Sequence, residues 1–157
     1  MKSAEAAHEL ISSVHRHFAE HELYQWGVAR NRDDRVIGTL TLHRLDWSSR
    51  RAELGFALAR SCWGQGYMTE GATLALDHAF GALELRRLEA DVDPRNETSL
   101  RLLERLGFTR EGLARERWEV AGEVQDSLLL GLLAREWRRE DRPAASVDRG
   151  EGSADTH

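Results

Sequence analysis

The run Cys62-Trp63-Gly64-Gln65-Gly66-Tyr67-Met68-Thr69-Glu70-Gly71 carries the clearest chemical signal in the chain. Glycines at 64 and 66 let a backbone take dihedrals closed to other residues and approach a ligand closely. A helix-like stretch, Ala72 to Phe80, follows directly. A helix start offers unpaired N–H groups and a partial positive charge. A diphosphate is the ligand such a turn would cradle. The dinucleotide fingerprint wants glycine where Thr69 stands, and the nucleoside-triphosphate loop wants a Gly-Lys-Ser/Thr run that is absent.

Two other groups of reactive side chains carry less. Cys62 is the single cysteine, so no disulfide framework exists, and no His or Asn/Asp constellation surrounds it to make a nucleophile. It reads as a small residue beside the loop. His17-Phe18-Ala19-Glu20-His21 matches H-x-x-E-H, a spacing that puts two imidazoles on one helix face as in zinc peptidases. No later helix supplies a third ligand, and His8 and His15 extend a His-rich solvated face instead. No metal is expected.

The surrounding elements must hold the glycine turn. Residues 3–22 have helical apolar spacing (Leu10, Val14, Phe18). Tyr24 to Arg30 and Val36 to Leu45 read as a hairpin, and Arg51 to Ala59 as a third strand. On that strand Ala52, Leu54, Phe56 and Leu58 share a face, with Glu53 and Gly55 on the other. A helix is expected from about Thr69 to Ala82, with His78 on its surface or half-buried. The strand Arg87 to Val92 should then lie parallel to the third strand, because a helix separates them. Asp93-Pro94-Arg95 ends it. Asn96 to Leu106 reads as a helix closed by Gly107, Phe108 to Ala114 as a strand, Glu116 to Gly122 as a loop, and Val124 to Leu133 as an apolar strand. Antiparallel meander, helix and parallel strand together make a mixed α/β (α+β) domain over residues 1–137. From Arg138 onward no apolar pattern remains, and residues 138–157 are expected to be a disordered tail.

A chain of 157 residues, 41% hydrophobic and 31% charged, has the make-up of one soluble globular domain. Its net charge of -5 argues against nonspecific nucleic-acid binding. An N-terminus without an apolar signal region, and no stretch of membrane-spanning length, give the expectation of a cytoplasmic protein with no membrane partner.

Ala-Glu-Leu-Gly-Phe at 52–56, then Trp-Gly-x-Gly-Tyr-Met-Thr-Glu at 63–70, resembles the acyl-CoA pyrophosphate loop of the GNAT superfamily of N-acetyltransferases, in its RimJ/RimL-like branch. A second stretch agrees: Val92-Asp93-Pro94-Arg95-Asn96-Glu97-Thr98-Ser99, with Leu103-Glu104-Arg105-Leu106-Gly107-Phe108 behind it. The resemblance covers most of residues 24–137. It implies a sheet that splays open between the third strand and Arg87–Val92, with acetyl-CoA entering the gap. It implies an acetyl-CoA-dependent transfer to a primary amine, either a protein N-terminus or a small molecule, by direct attack.

Roles for particular residues follow from that resemblance. Glu53 becomes the candidate base; it is equally an ordinary strand carboxylate. Ser99, in the Asn-x-x-Ser pattern, becomes the candidate acid; it is otherwise a first-turn serine. The backbone of Phe56, Ala57 and Leu58 would hold the pantetheine arm. Trp63, Gly64, Gln65, Gly66, Tyr67, Met68 and Thr69 would line the diphosphate site. Asn96 would touch the cofactor arm or cap its helix, and Arg101 would reach a CoA phosphate. Glu119 and Asp126 lie towards the expected acceptor side. Three departures stand out. Ser61 replaces a common Arg or Gln, Leu103 stands where many members carry an acid tyrosine, and no strand precedes the first helix. The last two departures motivate a competing expectation, a non-catalytic acyl-CoA-binding module of the same fold. A homodimer through the apolar Val124–Leu133 strand is a further expectation.

Overall fold

A computed structural model describes residues 23–137. One six-stranded mixed sheet in the order β1-β2-β3-β4-β6-β5 forms the frame. β1 (Tyr24–Arg30), β2 (Arg35–Asp46) and β3 (Arg51–Leu58) make the expected antiparallel meander. A short 3₁₀ turn, Arg60–Cys62, and the helix α1 (Tyr67–Phe80) lead to β4 (Arg87–Val92), which pairs parallel to β3. The helix α2 (Glu97–Arg105) leads to β5 (Thr109–Val120) and β6 (Glu123–Leu133), and α3 (Ala134–Trp137) closes the described chain. β6 inserts antiparallel between β4 and β5.

Alternation along the strands builds the core. Trp26, Leu40, Leu42, Leu54, Leu88 and Leu130 are fully buried or nearly so, and Leu76, Ala75 and Ala79 of α1 belong to the same core. Gly71 lets α1 lie close on the sheet: a Cβ there would stand 3.2 Å from both Leu40 and Val28. Trp137 fastens the far end, donating its Nε1–H to Asp77 at 2.8 Å and stacking near Phe80.

Four sequence expectations change. The third strand does not bury its whole apolar face: Ala52 and Leu54 are core, but Phe56 and Leu58 are only half-buried. The cause is that β3 pairs with β4 over Arg51 to Glu53 alone, opposite Arg87 to Glu89. Beyond Glu53 the two strands part, and the last apolar residues of β3 face a gap. The segment 116–122 is not a loop. β5 runs on to Val120, and a two-residue turn follows, with Ala121 and Gly122 both at positive φ (51° and 79°) as a tight hairpin turn needs. Almost every β5 residue is exposed, so no apolar alternation marks it. α1 spans Tyr67–Phe80 rather than 69–82, and α2 begins at Glu97 because Asn96 is its cap. The expected helix over 3–22 with its H-x-x-E-H match, the region before β1 and the tail from 138 lie outside the described residues.

Candidate functional site

The parting of β3 from β4 opens the sheet, and a cavity lies on each face of it. The larger, about 680 Å³, lies on the helix side. Three pieces of backbone shape it. The unpaired end of β3 brings Phe56, Ala57 and Leu58. The loop and first turn of α1 bring Trp63, Gly64, Gly66, Tyr67, Met68 and Thr69. The start of α2 brings Asn96, Ser99 and Arg101. Eleven of the twelve expected donor-side residues are therefore gathered around one groove, and Ser99 with them. Gln65 is the exception: it is exposed and its Nε2 donates to the Ser61 carbonyl at 3.1 Å, bracing the loop from behind.

The loop geometry suits a diphosphate. Gly64 and Gly66 have φ of +74° and +82°, a region where other residues are strained, and nothing lies within 4 Å of a Cβ built on either. Gly66 is the N-cap of α1, and no side chain caps that first turn. Its N–H groups are left for an anion. Trp63 is pinned by a 2.9 Å bond from Nε1 to the Leu58 carbonyl, with the Arg60 guanidinium over its ring. Cys62 is free, 2% exposed and lines the groove, as a small packing residue would.

α2 is set by Asn96, whose Oδ1 accepts the Ser99 N–H at 3.1 Å. Arg101 is ion-paired with Glu97 at 3.4 Å, both well exposed. Arg105, exposed, also lines the groove and reaches Thr69 Oγ1 at 3.5 Å. Leu103 is fully buried, and its neighbour Leu102 borders the groove instead.

The second cavity, about 390 Å³, lies on the face away from the helices, at the closed end of the gap. Here β3 presents Glu53, and β4 presents Glu89 and Asp91. Glu53, 14% exposed, accepts from Arg44 at 3.2 Å and lies 3.9 Å from His43 Nε2. Asp91, 11% exposed, pairs with Arg117 at 3.2 Å and accepts from Trp118 Nε1 and from the buried hydroxyl of Ser127. Arg87 bridges Glu89 and Glu111, and its guanidinium holds the Glu111 carboxyl below the usual carboxylate range. Glu53 and Ser99 thus line different cavities, on opposite faces of the sheet. Of the two acidic residues expected near the acceptor, Asp126 accepts the Glu116 N–H at 2.8 Å in the hairpin and Glu119 is exposed; neither is among the described lining residues.

Sequence alone missed Arg44, Asp91, Arg117, Trp118 and Ser127. Arg44 follows His43, which faces the same way as its partner Glu53, so regular alternation would turn Arg44 to the other face. A bulge between His43 and Asp46, with Arg44 at φ +49°, re-aims it onto Glu53. Asp91 was visible only as the polar half of an alternating strand. No group of three or more His, Cys, Asp or Glu side chains fit for a metal exists among the described residues.

The profile of the acetyltransferase (GNAT) domain family matches residues 1–109. The chain belongs to the GNAT acetyltransferases. The chain is 36% identical to the probable N-acetyltransferase YjcK of Bacillus subtilis over 132 residues, covering 83% of this chain and 73% of that one. A crystal structure of a probable acetyltransferase superposes with a TM-score of 0.73 at 33% identity, covering 80% of this chain and 70% of the other. Two Escherichia coli relatives are each 26% identical. The [ribosomal protein uS5]-alanine N-acetyltransferase matches over 82% of this chain and 65% of its own length, and the spermidine N(1)-acetyltransferase over 70% and 59%. The expected family, mixed fold and N-acetyltransferase class hold. GNAT enzymes take their acetyl group from acetyl-CoA, and the groove with its glycine loop fits that donor. No helix among the described residues is long and apolar enough to cross a membrane.

Proposed function

We propose that this GNAT enzyme binds acetyl-CoA in the helix-side groove and receives a primary amine through the cavity on the opposite face. The observation that carries the reading is the behaviour of β3: it lines both cavities, and while it stays paired with β2 to Leu58 it loses its β4 partner after Glu53. An extended pantetheine arm fits the unpaired edge as an added strand would, with backbone groups of Phe56, Ala57 and Leu58 as partners. The diphosphate lies on the N–H groups at Gly64 to Thr69, and Arg101 and Arg105 reach its phosphates. The thioester carbonyl then sits in the gap, open to the other face.

In the transfer, the amine nitrogen bonds to the acetyl carbon and the C–S bond breaks, leaving the amide and CoA as thiolate. Glu53, directly or through a water, takes the proton the amine loses, and Ser99 donates to the thiolate. The separation of these residues on two faces supports the division of labour, because base and acid serve opposite sides of the thioester.

The test is thermal unfolding with and without acetyl-CoA, followed by thiol release with a panel of amines. At a hundredfold excess over Kd, binding to the folded state adds about 2.7 kcal/mol. The wild type should show that stabilisation, and Gly64→Glu/Gly66→Glu should lose it, since two carboxylates would meet the diphosphate. No shift at millimolar acetyl-CoA refutes the donor site; a shift without thiol release from any amine refutes the transferase reading.

A further inference from the structure

The acceptor-side cavity is not the acidic hole that a polycation would need. Each of its carboxylates is already paired with an arginine: Glu53 with Arg44, Asp91 with Arg117, and Glu89 and Glu111 with Arg87. Glu53 and Asp91 have side chains 14% and 11% exposed, and their partners Arg44 and Arg117 are 54% and 38% exposed. Beside Glu53 and Asp91 a molecule entering from solvent meets guanidinium before carboxylate, whereas at the other end of the cavity Glu89 and Glu111, 35% and 41% exposed, stand over Arg87 at 23%. A second cation would gain contact with Glu53 or Asp91 only by displacing an arginine already in place.

The two arginines have donors to spare. Arg44 donates to Glu53 through one terminal nitrogen and Arg117 is ion-paired with Asp91 at its Nε, so most of the five N–H groups on each fork are left over. Both forks are also held in place. The carbons at their centres lie 5.8 Å and 5.5 Å from the ring of Trp118, which is itself fixed by its Nε1–H bond to Asp91 at 3.2 Å. Arg44 comes from β2 and Arg117 from β5, with β3, β4 and β6 between them in the sheet order. The hairpin of β5 and β6 must therefore reach back across the gap for one tryptophan to touch both. Two guanidiniums on one ring, beside the candidate base, form a pre-set fork for a planar anion.

Resting on the transferase reading above, we infer that the acceptor carries a carboxylate close to its primary amine, and that Arg44 and Arg117 bind that carboxylate while Glu53 faces the amine. Free amino acids and peptides with an acidic first residue share this chemistry. Spermidine and simple alkylamines lack it.

The experiment measures CoA release by the full-length chain with acetyl-CoA and five acceptors: glutamate, the dipeptide Glu-Ala, the amidated form of each, and spermidine. The expected result is a kcat/KM for one acid-bearing acceptor at least about tenfold above its amide and above spermidine, the scale of a charge-assisted hydrogen bond. Which of glutamate and Glu-Ala leads identifies the source of the carboxylate. Arg44→Gln and Arg117→Gln should each raise KM for the acid by a larger factor than for its amide, and Arg44→Lys should recover part of that difference. Spermidine or an amide used as well as the acids overturns the inference alone, as does an equal loss for all acceptors in the arginine variants. No release with any of these amines, or with a wider panel, removes the transferase reading and the inference with it.

Discussion

Asn96 has two candidate duties, and substitution separates them. Its Oδ1 accepts the Ser99 N–H at 3.1 Å, so it caps α2, and its side chain also borders the donor groove. Replacing it with alanine removes one bond to a first-turn amide and costs about 1 kcal/mol. For a domain of this size that lowers Tm by about 2–4 °C. Asn96→Asp keeps the acceptor and places a negative charge at a helix start, worth about 0.3–1 kcal/mol in its favour. The same charge faces the expected phosphates of the donor. The alanine variant should therefore unfold earlier in the absence of ligand. The aspartate variant should unfold at or above the wild-type temperature, and gain less from acetyl-CoA. Scanning calorimetry with and without acetyl-CoA reads both effects. An alanine variant as stable as the wild type would refute the cap. An aspartate variant with a full ligand-induced shift would refute the placement of Asn96 beside the donor.

Two further predictions concern stability. Leu103 is fully buried, so Leu103→Ala should cost about 2–5 kcal/mol, measured by denaturant unfolding; a loss under 1 kcal/mol would show that the α2 face is not core as described. Glu111 is held below its ordinary value of 4.5 by hydrogen bonding to Arg87. A carboxylate with a depressed folded pKa adds stability above its unfolded pKa, and that stability is lost as pH falls through the folded value. Glu111→Gln should lower stability at pH 7 by less than about 1 kcal/mol, because the side chain is 41% exposed, and the gap to the wild type should close as pH falls below about 4.5. Unfolding midpoints collected from pH 7 down to pH 3 would reveal it, and identical pH slopes in the two proteins would contradict the pairing.

Where the residue pattern is governed by burial or by a backbone constraint, it was readable in the chain. The meander, α1, β4 and α2 follow from alternation and helical spacing. The glycine loop follows from the dihedrals that Gly64 and Gly66 adopt. β5 was cut short because a strand exposed on nearly all its residues has no periodicity to detect. The donor groove was legible because its parts lie on consecutive elements, β3, the loop and α1, with α2 one strand later.

By itself, then, the sequence pointed to the family through its motif resemblance, and to the mixed fold and the residues that line the helix-side groove through local backbone chemistry and apolar periodicity. Only the tertiary structure decided what lines the second cavity. Arg44 reaches Glu53 through a bulge that reverses its expected face, and Trp118 and Arg117 arrive from the far strand of the sheet. Asp91 gains its partners Ser127 and Arg117 from two other strands. Charged side chains at long sequence separation carry no local signature; what they recognise depends on which of them a bulge, a splayed strand pair and a returning hairpin bring together.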